Sequence, residues 1–327
     1  MSPQNQNLSL DLVRITEAAA LASARWLGKG NTDSGDGAAV DAMRVGFAGL
    51  NIKGTVIIGE GEKDNAPMLY NGEEVGTGNG PALDIAIDPV EGTRLLAYGR
   101  PNAISVVGAC PAGTMYNPGP SFYMEKLVVP AEAKKVVDID APVEENLRHI
   151  AKALGKDVDD LVVFVLDKPR HEKLIRSIRE AGARIQLHSD GDVAGALMVI
   201  DPRADVDVMM GIGGTPEGVL AACAIKGLGG QMFARLAPQS FVEKEALEHA
   251  GIDSREVLTV DSLIRSDDVF FAATGISGGE FLRGVDYTGK GAVTHSMVIR
   301  GKTGSLRYIE SIQNWAKLMK VSDVKYD

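Results

Sequence analysis

Acidic side chains are concentrated in one short stretch of the sequence, from residue 60 to residue 93. Eight of them share this stretch with a single base, Lys63: Glu60, Glu62, Asp64, Glu73, Glu74, Asp84, Asp88 and Glu91. Convergent carboxylates repel one another, and the repulsion is relieved either by protonation, with strongly raised pKa values, or by a divalent cation. We favour the cation for Asp88 and Glu91, whereas Glu73 and Glu74 are typical of a solvated turn.

The segment Asp88-Pro-Val-Glu-Gly-Thr93 is predicted to be a turn after an apolar strand. Pro89 restricts the backbone, Gly92 leaves room for a close ligand, and Thr93 is expected at the start of a helix. Free N–H groups at a helix start attract phosphate, and neighbouring carboxylates bind hard cations. This combination is typical of a site that holds a phosphoryl group and polarises it for attack by water.

The residue types favour a hard cation over zinc. The histidines stand apart in the sequence, and the two cysteines, Cys110 and Cys223, form no CxxC pair. Carboxylate and water oxygens are the usual ligands of Mg²⁺ and Mn²⁺. We therefore expect Mn²⁺ or Mg²⁺ as the cofactor.

Strand-like and helix-like patterns alternate along the chain, which predicts a layered α/β fold with helices on both sheet faces. Helices are expected near 8–29, 38–50, 144–154, 170–181, 192–200, 217–227 and 242–250. Strands are expected near 55–58, 82–87, 103–107, 127–129, 161–166, 184–187, 206–210, 257–260, 269–273, 292–299 and 306–312. Glu60 and Asp88 would then follow neighbouring strands and meet at one rim of a sheet. A boundary near residue 160 would separate two tightly packed lobes, 1–160 and 161–327.

Composition excludes several classes of protein. The 34 basic and 44 acidic residues give a net charge of −10, which argues against nucleic acid or an anionic membrane as partner. The uncharged run 101–124 is interrupted by Pro and Gly, so we expect no membrane-spanning helix. The low cysteine content and a start without a secretory signal predict a cytoplasmic protein.

Two further polar segments follow predicted strands. Lys168-Pro-Arg170 is suited to gripping a second phosphate, although two surface bases beside a helix start would look the same. Asp190-Gly-Asp192 offers two acceptors for vicinal sugar hydroxyls, or two caps for the helix that follows. The residues alone leave both pairs of alternatives open.

The segment from Asp88 to Thr93 matches the DP(I/V)(D/E)G(T/S) signature of lithium-sensitive, metal-dependent sugar-phosphate phosphatases. Over nearly its full length the chain resembles the class II fructose-1,6-bisphosphatases of the GlpX type. The supporting motifs are GDGAAVDAM, VIIGEGEKDNAPMLYNGEEVG, DKPRH, SDGDVAGAL and GIGGTPEG. The resemblance implies an α/β/α/β/α sandwich of the inositol monophosphatase and fructose bisphosphatase type. It also implies that the chain assembles into a homotetramer.

The resemblance also implies roles for individual residues. The implied metal ligands are Asp36, Glu60, Asp88, Glu91 and Glu217. The implied catalytic residues are Thr93, Asp36, Glu62 and Asp64, with Thr93 and Asp36 positioning the attacking water. The implied substrate contacts are Glu91, Gly92, Thr93, Tyr123, Lys168, Pro169, Arg170, Asp190, Gly191, Asp192 and Gly214.

The expected reaction is hydrolysis of the 1-phosphate of fructose 1,6-bisphosphate, a step of gluconeogenesis, with a small sugar bisphosphate as partner. Sedoheptulose 1,7-bisphosphate is an alternative substrate, and a non-catalytic sugar-phosphate sensor is a remote alternative. A nucleotide-dependent oxidoreductase is suggested only by Gly211-Ile-Gly-Gly, whose continuation lacks the last glycine of the dinucleotide fingerprint. One departure from the family pattern is Thr32, which replaces a lysine that assists catalysis; Lys29 is a hypothetical substitute.

Overall fold

The computed structural model describes residues 8–60, 62–63, 66–67 and 69–320, together with residues 322, 324 and 326. The chain forms two compact units, Met1–Met115 with Ser266–Asp327, and Tyr116–Arg265. The boundary expected near residue 160 therefore falls inside the second unit. The first unit is assembled from both ends of the chain, because a strand from residues 104–111 pairs with one from residues 270–275.

The first unit contains a mixed sheet covered by helices. Its described helices are α1 (Leu8–Ser23), α2 (Thr32–Ala48), α3 (Thr93–Ala97) and α10 (Trp315–Leu318). The sheet contains β1 (Lys53–Ile58), β4 (Glu74–Val75), β5 (Ala82–Glu91), β6 (Ile104–Pro111), β13 (Phe270–Gly275), β14 (Asp286–Thr288), β15 (Gly291–Arg300) and β16 (Ser305–Asn314). Its order is β14-β15-β13-β6-β5-β1-β4, with β16 paired to β15. A separate short pair consists of β2 (Glu62–Lys63) and β3 (Ala66–Pro67).

Two neighbouring strands of this sheet, β1 and β5, are parallel, with Ile58 opposite Ala86. The segment from Asp88 to Glu91 was predicted as a turn, but β5 continues through it and pairs with β6 as far as Glu91. The register shifts between these two residues, where Pro89 lacks the N–H that a regular ladder needs. The predicted turn is therefore an irregular strand end.

The second unit contains another mixed sheet with helices on both faces. Its strands are β7 (Tyr123–Val129), β8 (Val162–Leu166), β9 (Arg184–His188), β10 (Val208–Gly214), β11 (Gln231–Leu236) and β12 (Leu258–Thr259), in the order β12-β11-β7-β10-β8-β9. Its helices are α4 (Val143–Leu154), α5 (Glu172–Glu180), α6 (Asp192–Ile200), α7 (Thr215–Leu228), α8 (Phe241–His249) and α9 (Val260–Leu263).

The alternation of side chains along β8 shows why helices occupy both faces. Val163 and Val165 pack in one buried cluster with residues of α4 and α5. Phe164 points the other way, where its ring fills the space beside Gly195 of α6. The mixed α/β fold class is confirmed, with a mixed sheet in each unit.

Other elements differ from the prediction at their ends. The second helix begins at Thr32, earlier than the apolar pattern indicated, because Asn31 caps it by accepting the Ser34 N–H. The glycines from 211 to 214 were expected in a loop but complete β10. Strand β11 was not predicted at all. Within the described part of the chain, no helix is both long and apolar enough to cross a membrane.

Candidate active site

Four of the implied metal ligands belong to the first unit. Glu60 follows β1 by two residues, and continuing the parallel register from Ile58 and Ala86 brings it level with Asp88 of β5. Asp36 is buried in the second turn of α2. The start of α2 lies against α3, since a Cβ on Gly35 would be 2.7 Å from Cδ2 of Leu96. The sheet and α2 thus position these carboxylates from separate parts of the chain.

The strand end at Asp88 and Glu91 is held by local hydrogen bonds. Oδ1 of Asp88 accepts the Val90 N–H at 3.0 Å, and the Thr93 hydroxyl donates to the Val90 carbonyl at 3.1 Å. Glu91 is buried, and Gly92 turns the chain into α3 with a φ of 87°. Thr93 begins a helix, as predicted, although α3 has only five residues. The Thr93 hydroxyl therefore presents its lone pairs, because its proton is engaged.

Other acids of the stretch from 60 to 93 have ordinary structural roles. The buried Asp84 accepts the N–H groups of Thr114 and Met115 at 2.9 and 3.0 Å, which secures the chain after β6. Glu74 is exposed, as predicted, and Glu73 lies 3.6 Å from Arg44. None of these contacts points to a ligand.

Two implied catalytic residues cannot be placed by their side chains. Glu62 is described as part of the backbone of β2, and Asp64 lies outside the described residues. Across the described ranges, no three His, Cys, Asp or Glu side chains form a group that could hold a metal ion. The implied ligand set stays a prediction.

The implied phosphate grip lies wholly in the second unit. The guanidinium carbon of Arg170 is 5.3 Å from the centre of the Tyr123 ring, a cation–π arrangement. Nζ of Lys168 donates to Oδ1 of Asp190 at 2.9 Å. Pro169 begins a short 3₁₀ helix that turns the chain between the two bases. The fold therefore brings Tyr123 and Asp190, both implied substrate contacts, to the turn that carries Lys168 and Arg170.

Side chains extend the ladder between β8 and β10. Backbone pairing of these strands includes Met209 with Phe164, near the end of β8. Further along β10, the Ile212 carbonyl accepts two N–H groups from Arg170, at 3.0 and 2.8 Å. The Ile212 N–H donates to Nε2 of His171 at 2.7 Å. The turn that carries Lys168 and Arg170 is thereby fixed to β10.

His171 is held in one tautomer. Because Nε2 accepts from Ile212, the ring proton is on Nδ1, which donates to the Leu166 carbonyl at 2.7 Å. Burial lowers the pKa of His171, and the cations of Arg170 and Lys168 lower it further. The ring is therefore neutral near pH 7.

A buried charged cluster lies where α6 and α7 begin. Lys126 of β7 forms a buried ion pair with Asp192 and donates to the Gly214 carbonyl at 2.6 Å. Burial raises the pKa of Glu217, the nearby charge of Asp192 raises it further, and Lys126 opposes both effects. Gly191, in the left-handed region, precedes helix α6, and Asp192 is the first residue of that helix. The side chain of Asp190 pairs with Lys168 and that of Asp192 with Lys126, while a capping role stays a prediction.

The donor set around Glu217 fits a divalent cation. Oε2 of Glu217 is buried and has no hydrogen-bond partner among the described residues. The cluster contains two carboxylates and one ammonium group, and a hard cation prefers oxygen ligands of this kind. The side chain of Asp192 fills the space beside Gly213 of β10, since a Cβ on Gly213 would be 1.9 Å from its Oδ2. That packing disfavours the dinucleotide interpretation.

Thr32, which stands where the family pattern has a lysine, has a local structural role. Its hydroxyl donates to Oδ1 of Asp33 at 3.1 Å in the first turn of α2. Lys29 is exposed, with its Nζ 5.1 Å from the centre of the Trp26 ring. The substitution of Lys29 for the family lysine stays a hypothesis.

Comparison with known proteins decides the family. A family model described as bacterial fructose-1,6-bisphosphatase, glpX-encoded, matches residues 6–313. The chain belongs to this family. It is 44% identical over 333 residues to fructose-1,6-bisphosphatase class 2 of Haemophilus influenzae, covering 98% of this chain and 100% of that relative. It is also 44% identical over 320 residues to fructose-1,6-bisphosphatase 1 class 2 of Escherichia coli K12, covering 94% and 95%.

Membership of the GlpX family confirms the resemblance seen in the motifs. Two residues that hold the proposed binding groups in place, Lys126 and His171, were not predicted from the sequence. Lys126 follows Glu125 and precedes the predicted strand 127–129, so the apolar pattern carried no signal of its burial. His171 carried no such signal, since its two partners are backbone groups that the fold supplies.

Proposed function

We propose that this GlpX-family protein hydrolyses fructose 1,6-bisphosphate to fructose 6-phosphate and phosphate, the hydrolytic step of gluconeogenesis. The observation that carries the proposal is the match to relatives named class 2 fructose-1,6-bisphosphatase over almost the whole chain. The polar groups of each unit suit parts of this substrate.

The second unit suits the phosphate that does not react and the sugar. Arg170 donates two N–H groups to the Ile212 carbonyl. Because a guanidinium has five N–H groups, Arg170 retains donors for a phosphate. The Tyr123 ring contacts the Arg170 guanidinium, and Lys168 precedes the short 3₁₀ helix that contains Arg170. Asp190 and Asp192 retain acceptor capacity for sugar hydroxyls after pairing with their lysines.

The first unit suits the reacting phosphate. The Thr93 hydroxyl donates to the Val90 carbonyl, so its oxygen can only accept, and a water molecule bound there would point its own lone pairs elsewhere. We assign Thr93, with Asp36, to orienting the attacking water. Glu62 and Asp64 are proposed to assist this step.

The residues proposed to hold Mn²⁺ or Mg²⁺ are Asp36, Glu60, Asp88, Glu91 and Glu217. Bound cations would neutralise phosphoryl charge and lower the pKa of water. The buried, unsatisfied Oε2 of Glu217 supports this assignment, because an ionised carboxylate is costly to bury without a partner.

The test is a phosphate-release assay with fructose 1,6-bisphosphate, sedoheptulose 1,7-bisphosphate and an inositol phosphate, each with Mn²⁺, Mg²⁺, added Li⁺ or EDTA. We expect fructose 1,6-bisphosphate to be hydrolysed fastest, with loss of activity in EDTA and recovery with Mn²⁺. Glu60→Gln and Asp88→Asn should abolish turnover while leaving the unfolding transition intact. Binding of the sugar bisphosphate without phosphate release would identify a sensor and overturn the proposal.

A further inference from the structure

Lys126 is an unusual residue to find in the middle of a sheet. It lies on β7 opposite Gly211 of β10, and its side chain is only 2% exposed. A buried ammonium group is costly unless it is paired and hydrogen-bonded. Lys126 meets both conditions through Asp192 and the Gly214 carbonyl.

The backbone of β10 and α7 is shaped around this cluster. A Cβ on Gly214 would be 1.7 Å from Oε2 of Glu217. A Cβ on Gly218 would be 2.9 Å from Cε of Lys126, and one on Gly213 would meet Asp192. Gly213 and Gly214 are therefore glycines because a larger residue would displace these carboxylates, and Gly218 leaves room for the side chains of Met124 and Lys126.

Lys126 interacts differently with the carboxylates of Asp192 and Glu217. Its Nζ is bonded to Oδ2 of Asp192 and to the Gly214 carbonyl, whereas Oε2 of Glu217 has no hydrogen-bond partner among the residues described. An acid neutralised by a buried lysine retains lone pairs for neutral hydroxyl donors but attracts cations weakly. A carboxylate oxygen without a hydrogen-bond partner, such as Oε2 of Glu217, is available to bind a cation.

We propose that Lys126 is a positioning residue that gives Asp192 and Glu217 different ligands. By neutralising Asp192 it reserves that side chain for the uncharged hydroxyls of the sugar, and it leaves Glu217 as the carboxylate that binds the divalent cation. The inference rests on the proposed function for the identity of sugar and cation. Lys126 itself touches neither.

The test is a double-mutant cycle on the full chain, with wild type, Lys126→Met, Asp192→Asn and the double variant. Mn²⁺ binding is measured by calorimetry at pH 8 without substrate, so the readout is independent of turnover. Methionine has a similar volume without the charge, and asparagine keeps the shape of aspartate. The double variant restores a neutral pair, which guards against unfolding caused by an unpaired buried charge.

Lys126→Met frees Asp192 to join Glu217 on the cation, so we expect Mn²⁺ to bind about tenfold tighter than in wild type. Asp192→Asn frees Lys126 to pair with Glu217, so binding should weaken about tenfold. The double variant should return to within about threefold of wild type. In kinetics, Lys126→Met should raise KM for the bisphosphate more than it lowers kcat.

A purely structural role for Lys126 predicts a different pattern. Equal Mn²⁺ affinity in all folded variants, or weaker binding in Lys126→Met, would overturn the inference. If Lys126→Met does not fold, Asp192→Asn and the double variant still decide, because the double variant should bind Mn²⁺ about tenfold tighter than Asp192→Asn. Wild type that binds no Mn²⁺ would overturn the cation in the proposed function as well. Wild type that binds Mn²⁺ and hydrolyses the substrate, with the wrong order among variants, would overturn the Lys126 assignment alone.

Discussion

Replacement of His171 should loosen the turn that is proposed to bind phosphate. In His171→Ala the Ile212 N–H loses its acceptor, whereas the Leu166 carbonyl still accepts the Lys168 N–H at 2.9 Å. An unsatisfied buried donor costs about 1–3 kcal/mol, and the second hydrogen bond and the cavity add about 1–2 kcal/mol. We expect the free energy of unfolding to fall by about 2–5 kcal/mol.

Matched variants separate the Ile212 contact from general packing. Glutamine can place an oxygen near the position of Nε2 and accept the Ile212 N–H, whereas asparagine can imitate only the Nδ1 donor to Leu166. His171→Gln should therefore be more stable than His171→Asn, by about 1 kcal/mol in urea denaturation. KM for the bisphosphate should rise more than kcat falls, in the same order of variants.

The lowered pKa of His171 gives a signed pH dependence. The ordinary value is 6.5, so as the pH falls below it the unfolded chain takes up a proton before the folded chain does. The stabilising contribution of His171 is complete above 6.5 and is lost as the pH falls toward the lowered pKa. The stability difference between wild type and His171→Gln should shrink by up to about 1.4 kcal/mol per pH unit below pH 6.5. A constant difference from pH 8 to pH 5, or one that grows on acidification, would refute the assignment.

Three further predictions concern the first unit. Thr93→Ala should reduce kcat at least about 100-fold with an unchanged unfolding transition, while Thr93→Ser retains most activity; equal rates would contradict the water-orienting role. Asp84→Ala should cost about 2–4 kcal/mol in urea denaturation, because the part-buried Thr114 N–H and the buried Met115 N–H lose a charged acceptor, yet Mn²⁺ affinity should not change. Lys29→Ala should lower turnover and Thr32→Lys should raise it if Lys29 replaces the family lysine; an unchanged rate in Lys29→Ala discards that hypothesis.

The chemistry of the site was predictable where residue type and strand order agree. Glu60 and Asp88 were expected to meet at one rim of a sheet, and the parallel register of β1 with β5 brings them level, although Asp88 lies within β5. The extension of β5 to Glu91 was not predictable, because Pro89 is read locally as a turn residue and only the register of β6 shows otherwise.

Long-range pairing explains the other differences. The lobe boundary near residue 160 assumed that each unit is continuous in sequence, but Phe270 pairs with Ala109 across the second unit's sequence. The glycines at 213 and 214 read as a loop because the side chains that require their small size, Asp192 and Glu217, are identified only in the folded structure. Local patterns contain no information on such contacts.

Anomalous diffraction at the manganese edge, from crystals grown with Mn²⁺ and product, would show which carboxylates bind the cation. We expect manganese density bonded to Oε2 of Glu217 and manganese density bonded to Asp88. Manganese sites elsewhere, with Asp88 and Glu217 both bare of metal, would contradict the proposed metal centre.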